Sequence, residues 1–138
     1  MTLDQIPLLS MLKGKLGYLN ERQKLISQNV ANADTPGFTP VDLKPFTVEA
    51  AKAAPAAGQG AVSTVRTNSA HLAGTTAPVR TWKTVTAADS ESRLDGNQVV
   101  LEDQMMKMTE ARLDYDAAIG LYQKSLAMLR TAVRKPGG

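Results

Sequence analysis

Cysteine is absent from this 138-residue chain. That excludes disulfide staples, thiolate nucleophiles and cysteine-based zinc sites. Aromatic residues are scarce: one Trp, three Tyr and two Phe. A core here therefore rests on Leu, Val, Ile, Met and Ala, which suits helices packed on helices. Histidine occurs once, at His71, with no nucleophile-elbow pattern beside it. No glycine-rich phosphate cradle and no metal-ligand spacing accompanies it. Neighbouring carboxylates such as Glu102-Asp103 and Asp114 with Asp116 fit solvated helix faces. Enzyme readings fail on this inventory, and no cofactor, metal or small-molecule substrate is expected.

Charge of one sign is not concentrated anywhere. The net +3 divides evenly: four Lys/Arg against three Asp/Glu in residues 1–34, six against five in residues 35–96, and six against five in residues 97–138. Nucleic-acid binders gather their basic residues on one face, so no nucleic acid is expected as a partner. No apolar run is long enough to span a bilayer. The opening Met1-Thr2-Leu3-Asp4-Gln5 lacks the basic and then apolar stretches of a secretory signal peptide, so any export is expected to proceed without one.

The chain does hold two heptad patterns. From Asp4, a candidate N-cap with Pro7 in the first turn, to Ala33, positions Leu9, Leu12, Leu16, Leu19, Gln23, Ile26, Val30 and Ala33 alternate by three and four. All but Gln23 are apolar, which predicts a long helix carrying a coiled-coil-like seam. Thr35-Pro36-Gly37 ends it. A second seam follows the turn Asp95-Gly96-Asn97, whose Asp95 or Asn97 is a candidate cap. It runs Leu101, Met105, Met108, Arg112, Tyr115, Ile119, Tyr122, Leu126, Leu129 and Val133. Acidic Glu102 and Asp103 near its start, and Arg130, Arg134 and Lys135 near its end, complement the helix dipole. Pro136-Gly137-Gly138 stops it.

Between the helices, from about Val41 to Leu94, the chain is rich in Ala, Gly, Pro, Ser and Thr without a sustained period. It reads as a mobile excursion in which Val62–Val65 and Thr84–Thr86 are candidate short strands, and Trp82 a candidate anchor for an outer contact. The expected organisation is one mainly α domain: residues 1–38 an N-terminal helix and its turn, residues 39–95 a flexible, irregular middle, and residues 96–138 a C-terminal helix. A lone antiparallel pair of this length is marginal, and Leu8, Leu25, Met105 and Met108 invite further partners. Other chains are expected to complete the core, with weak helicity in the dilute monomer.

The segment Asn29-Val30-Ala31-Asn32-Ala33-Asp34-Thr35-Pro36-Gly37-Phe38 is the most specific feature. It resembles the signature of flagellar rod, hook and hook-associated proteins: Asn, an aliphatic residue, Ala, Asn, two variable positions, Thr, one variable position, Gly and an aromatic residue. Every fixed position is met. Ile6-Pro7-Leu8-Leu9, Leu12 to Leu16, Tyr18-Leu19, Arg22-Gln23, Asp42 to Phe46, Thr67 to Leu72 and Asp95 to Glu102 further resemble proximal members of the flagellar basal-body rod family. Gln98 departs from that pattern, where a Thr or similar residue is expected. The resemblance covers both termini, about half the chain.

The resemblance implies a structural subunit whose terminal helices, unfolded before assembly, pair into the wall of a tube that transmits torque and conducts exported subunits. It implies export through the flagellar type III apparatus and residence in the periplasmic rod of the basal body. The implied partners are copies of itself, other rod subunits (FlgC and further rod proteins), the FliE adaptor and the membrane ring. Asn29, Ala31, Asn32, Thr35, Pro36, Gly37 and Phe38 would then serve the signature. Asn29 and Asn32 either terminate the helix or reach a neighbouring subunit, and Phe38 packs on its own helix or into a neighbour. Gly14, Gly17 and Gly120 mark close helix approach or tolerated weak spots, and Arg112 pairs with another chain or snorkels to the seam edge. A soluble helical-hairpin adaptor binding a partner helix is the competing reading. It has no need of the signature.

Overall fold

The computed structural model describes residues 7–52 and 81–133. The candidate Asp4 cap, the Val62–Val65 strand, the Thr67 to Leu72 segment, His71, Arg134, Lys135 and the Pro136-Gly137-Gly138 stop lie outside them. Two long helices dominate: α1 (Pro7–Ala31) and α3 (Leu101–Val133). They pack antiparallel, with Asn29 against Gln104 near one end and Lys15 against Asp114 farther along. Between them come β1 (Val41–Leu43), the short helix α2 (Val48–Lys52) and β2 (Thr84–Thr86).

The strands form a two-stranded antiparallel sheet, with Val41 opposite Thr86, Asp42 opposite Val85 and Leu43 opposite Thr84. Two flanking bonds extend it: Lys44 N donates to Lys83 O at 2.9 Å, and Ala87 N to Pro40 O at 2.9 Å. Thr47 caps α2 by accepting from Ala50 N at its side-chain oxygen, 3.1 Å away. The middle is therefore not uniformly an excursion. Its described parts lie on the helices, because Leu43 and Ala51 are buried apolar anchors that the lack of periodicity concealed.

Leu9, Leu12, Leu19, Ile26 and Ala33 are buried on the α1 side, and Leu16 is half-buried. Val30 is exposed, and the neighbouring Asn29 takes the buried position. On α3 the buried positions are Gln104, Ala111, Ala118 and Ser125, each seven residues after the last. Met108, Tyr115, Tyr122 and Leu129 flank them, half-buried. The seam thus lies one residue earlier than apolarity suggests in half of each heptad. Met105, Leu101 and Val133 are exposed, Ile119 and Leu126 half-buried, and Arg112 exposed.

Size complementarity explains the offset. Large Leu and Ile side chains of α1 meet small ones of α3, so Leu19, Tyr18 and Ala118 share one core cluster with Leu43. Placing Met105 and Arg112 in the seam would push the helices apart. A Cβ added at Gly17 or Gly120 would meet nothing within 4 Å, so neither glycine mediates close helix approach within this chain.

Candidate functional site

The signature folds as an interlocked turn. Asn32 N donates to Gln28 O and Asn29 O, both at 3.1 Å, closing the last turn of α1. The Asn32 amide donates to Gln28 O at 2.8 Å, and its oxygen accepts from the Thr35 hydroxyl at 3.2 Å. Gly37 follows with φ of 70°, a left-handed conformation costly for a residue with a Cβ. The Asp95-Gly96-Asn97 turn then docks on it. Gly37 N donates to Asp95 O at 3.0 Å and Gln98 N to Phe38 O at 2.9 Å. Gly96 also has a positive φ, and a Cβ there would lie 3.4 Å from Gly37 Cα.

Asn97, fully buried, fastens the two turns. Its amide donates to Asn32 O at 3.0 Å and Thr35 O at 2.7 Å, carbonyls of the turn after α1 that also accept from Thr35 N and Phe38 N. Its side-chain oxygen accepts from Val99 N at 2.8 Å. Neither Asp95 nor Asn97 caps α3, because both are spent on the turn: Asp95 Oδ1 accepts from Asn97 N at 3.0 Å. Asp89 takes the capping role from outside the helix, accepting from Val100 N at 3.0 Å. Gln98 contributes main-chain groups to this junction, so its departure from the expected residue leaves these contacts intact. Ala31, Thr35, Pro36 and Gly37 are exposed, and Phe38 is half-buried.

Asn29 begins a buried polar relay. It is 3% exposed, and its amide donates to Val41 O at 2.9 Å and to Gln104 Oε1 at 3.0 Å, while its oxygen accepts from Val41 N at 3.0 Å. Gln104, with no exposed surface, passes the relay on: its Nε2 donates to both Asp89 oxygens at 3.0 and 2.8 Å. Lys107 Nζ closes it at 2.6 Å from Asp89 Oδ1. Burial pushes the Asp89 carboxyl up, but the bonds from Lys107, Gln104 and Val100 N outweigh it and hold the group below its ordinary value. No buried side-chain nitrogen or oxygen among the described residues lacks a partner.

A second junction lies two turns earlier in α1. Arg22 grips Asp42 of β1 with two nitrogens, at 3.2 and 3.3 Å, and reaches Glu110 of α3 at 3.4 Å. Burial lowers the guanidinium's affinity for its proton, yet the Asp42 bond and charge outweigh it and raise the value. Beside it, Tyr18, Phe46 and Trp82 form a triad with ring centroids 5.3 to 5.8 Å apart. Burial, partly opposed by Arg22, pushes the Tyr18 phenol up. Trp82 thus packs inward on its own chain, half-buried. It lies next to β2, whose position in a Ser/Thr-rich stretch gave no sign of what it would touch.

All these groups tie one element to another, and α3 also carries large apolar side chains that nothing in this chain covers. Leu101 and Met105 are exposed on one flank of the seam, Leu121 and Met128 on the other, and Met106 and Leu113 on the face opposite it. A helix apolar on several faces is a component of a larger packed body. The class defined is a structural subunit of a larger assembly. Comparison with known proteins names the body. Residues 19–39, spanning the later part of α1 and the signature turn, match the family described as "Flagella basal body rod protein". The chain is 28% identical over 136 residues to flagellar basal body rod protein FlgB of Agrobacterium fabrum, covering 97% of this chain and 98% of that one. It is 30% identical over 113 residues to FlgB of Cereibacter sphaeroides, covering 82% and 83%. The chain belongs to the flagellar basal body rod protein family, whose members are structural and not enzymes.

Proposed function

We propose that this chain is a subunit of the proximal rod, assembling through α1 and α3 with copies of itself and with other rod subunits into the tube that carries torque and exported proteins. The observation that carries the reading is the uncovered apolar surface of α3: Met105, Met106 and Leu113 each expose about two-thirds of their area, at 68%, 66% and 66%. Burying such side chains yields about 1.5–3 kcal/mol each, so a neighbouring helix gains substantially by covering them. A further apolar surface lies at the end of the hairpin away from the signature. There Leu8, Leu9, Ser125, Met128, Leu129 and Ala132 line an apolar groove.

Assembly on this reading is coupled folding and binding. The signature end is held by its own relay and triad, while the outer turns gain order from neighbours. The partners on this reading are FlgC and further rod proteins, the FliE adaptor at the membrane ring, and the type III export apparatus that delivers the chain to the periplasmic rod. No described helix is long and apolar enough to cross a membrane. Replacing the cell's own copy by Leu113→Asp with Leu121→Asp tests the reading, since both side chains are exposed and the intrachain core keeps its residues. The expected result is loss of motility and of complete basal bodies, with the purified variant as helical as the parent. Normal rods in these cells would contradict it.

A further inference from the structure

The α3 side of the seam repeats almost identically every heptad. Ala111, Ala118 and Ser125 are all small, and Met108, Tyr115, Tyr122 and Leu129 accompany them at the same spacing. Such a surface accepts the Leu-rich face of α1 in more than one register, because sliding α3 by seven residues (about 10 Å at ~1.5 Å per residue) puts like against like. Gln104 is the one member of the repeat that is neither small nor apolar.

The slide would place Ala111 where Gln104 now sits. Asn29 would lose its acceptor at 3.0 Å, and Asp89 the amide at 2.8 Å, both inside the protein. Asp114 would replace Lys107 beside the Asp89 carboxylate, which has no exposed surface. The other charged contacts across the pair, Lys15 with Asp114 and Arg22 with Glu110, involve exposed carboxylates and discriminate weakly. Buried polar groups left without partners are far costlier, and a single buried polar residue in a seam is a recognised way of fixing register.

We propose that Gln104, bridging Asn29 and Asp89, is the residue within the helical seam that selects the register of α3 on α1, acting beside the Asn97 latch in the turn before α3. The signature asparagine then acts within its own chain to set which faces of the hairpin are presented outward. This inference does not depend on the rod reading, since it concerns the pairing of two helices of one chain.

The absence of cysteine makes the test direct. Spin labels at Gln28→Cys and Lys124→Cys, both exposed and well staggered along the pair, report the register as a distance in the full chain by pulsed electron resonance. The parent should give one distance. Gln104→Leu, which keeps the seam filled but removes the bridge, should add a population shorter by roughly 10 Å. Gln104→Ala with Ala111→Gln, which moves the bridge one heptad on, should enrich that population further. A single parental distance in both variants would overturn the proposal. So would the loss of any resolved distance in both, since Gln104 would then be needed for pairing itself and not for its register.

Discussion

The Asn29 amide and the Gln104 side-chain oxygen, 75 residues apart in sequence, meet at 3.0 Å inside the protein. Through this contact the end of α1 and the start of α3 are fixed to each other, and through Val41 both are fixed to the sheet. Asn29→Ala would orphan the Val41 main-chain groups and the Gln104 oxygen together. At about 1–3 kcal/mol for each buried group left unpaired, partly relieved by water, the variant should lose roughly 2–4 kcal/mol. Urea titration of the isolated chain, followed by circular dichroism, measures this loss.

Acid should weaken the same junction. Asp89 titrates below its ordinary value in the folded chain. As pH falls, the unfolded chain therefore takes up this proton first, so the stabilisation is full at neutral pH and declines once pH drops through the unfolded value of about 4. Asp89→Asn should be less stable than the parent at pH 7 and should lose less of its remaining stability between pH 5 and pH 3. Denaturant midpoints across that range decide it; parallel slopes for the two proteins would contradict the assignment.

Glycine substitutions should act in opposite directions. Gly17 is helical, with open space around its missing Cβ, so Gly17→Ala should stabilise the isolated chain by about 0.5–1 kcal/mol. Gly37 holds φ of 70°, so Gly37→Ala should cost about 1–2 kcal/mol and loosen the docked Asp95 turn. Thermal melts of the two variants against the parent provide the comparison.

Trp82 is the single tryptophan, and its ring lies 5.3 Å from that of Tyr18 and 5.8 Å from that of Phe46. Its emission should shift to the red as the β2 segment leaves α1. Phe46→Ala should bring that shift to lower denaturant, by roughly 2 kcal/mol, about half the cost of emptying a fully buried aromatic site. Unchanged emission in Phe46→Ala, with an unchanged midpoint, would show that the triad adds nothing to holding the segment.

The two helices were legible in the sequence because apolar periodicity survives in any helix that packs on one side. The turn at Thr35-Pro36-Gly37 was legible because its residues restrict the backbone locally. The seam of α3 was read with Met105 and Arg112 where Gln104 and Ala111 lie, since hydrophobicity marks what is apolar and not what is near. The small residues are chosen by the Leu face of α1, information that lies elsewhere in the chain. Asp89 escaped, and Asn97 was read only as a candidate cap, for a related reason. Each bonds to groups far from it in sequence, and only the folded chain brings Asp89 to Val100 and Gln104, or Asn97 to Asn32 and Thr35. The one available clue was an asparagine and a glutamine placed on or beside otherwise apolar stripes.

The most direct test of the rod-subunit account is cryo-electron microscopy of basal bodies purified from cells carrying a small epitope inserted at Gly58, within the Ala/Gly/Pro-rich stretch. The account predicts complete basal bodies with added density around the membrane-proximal end of the rod. Complete basal bodies without that density, from cells in which the tagged chain is stable, would contradict it.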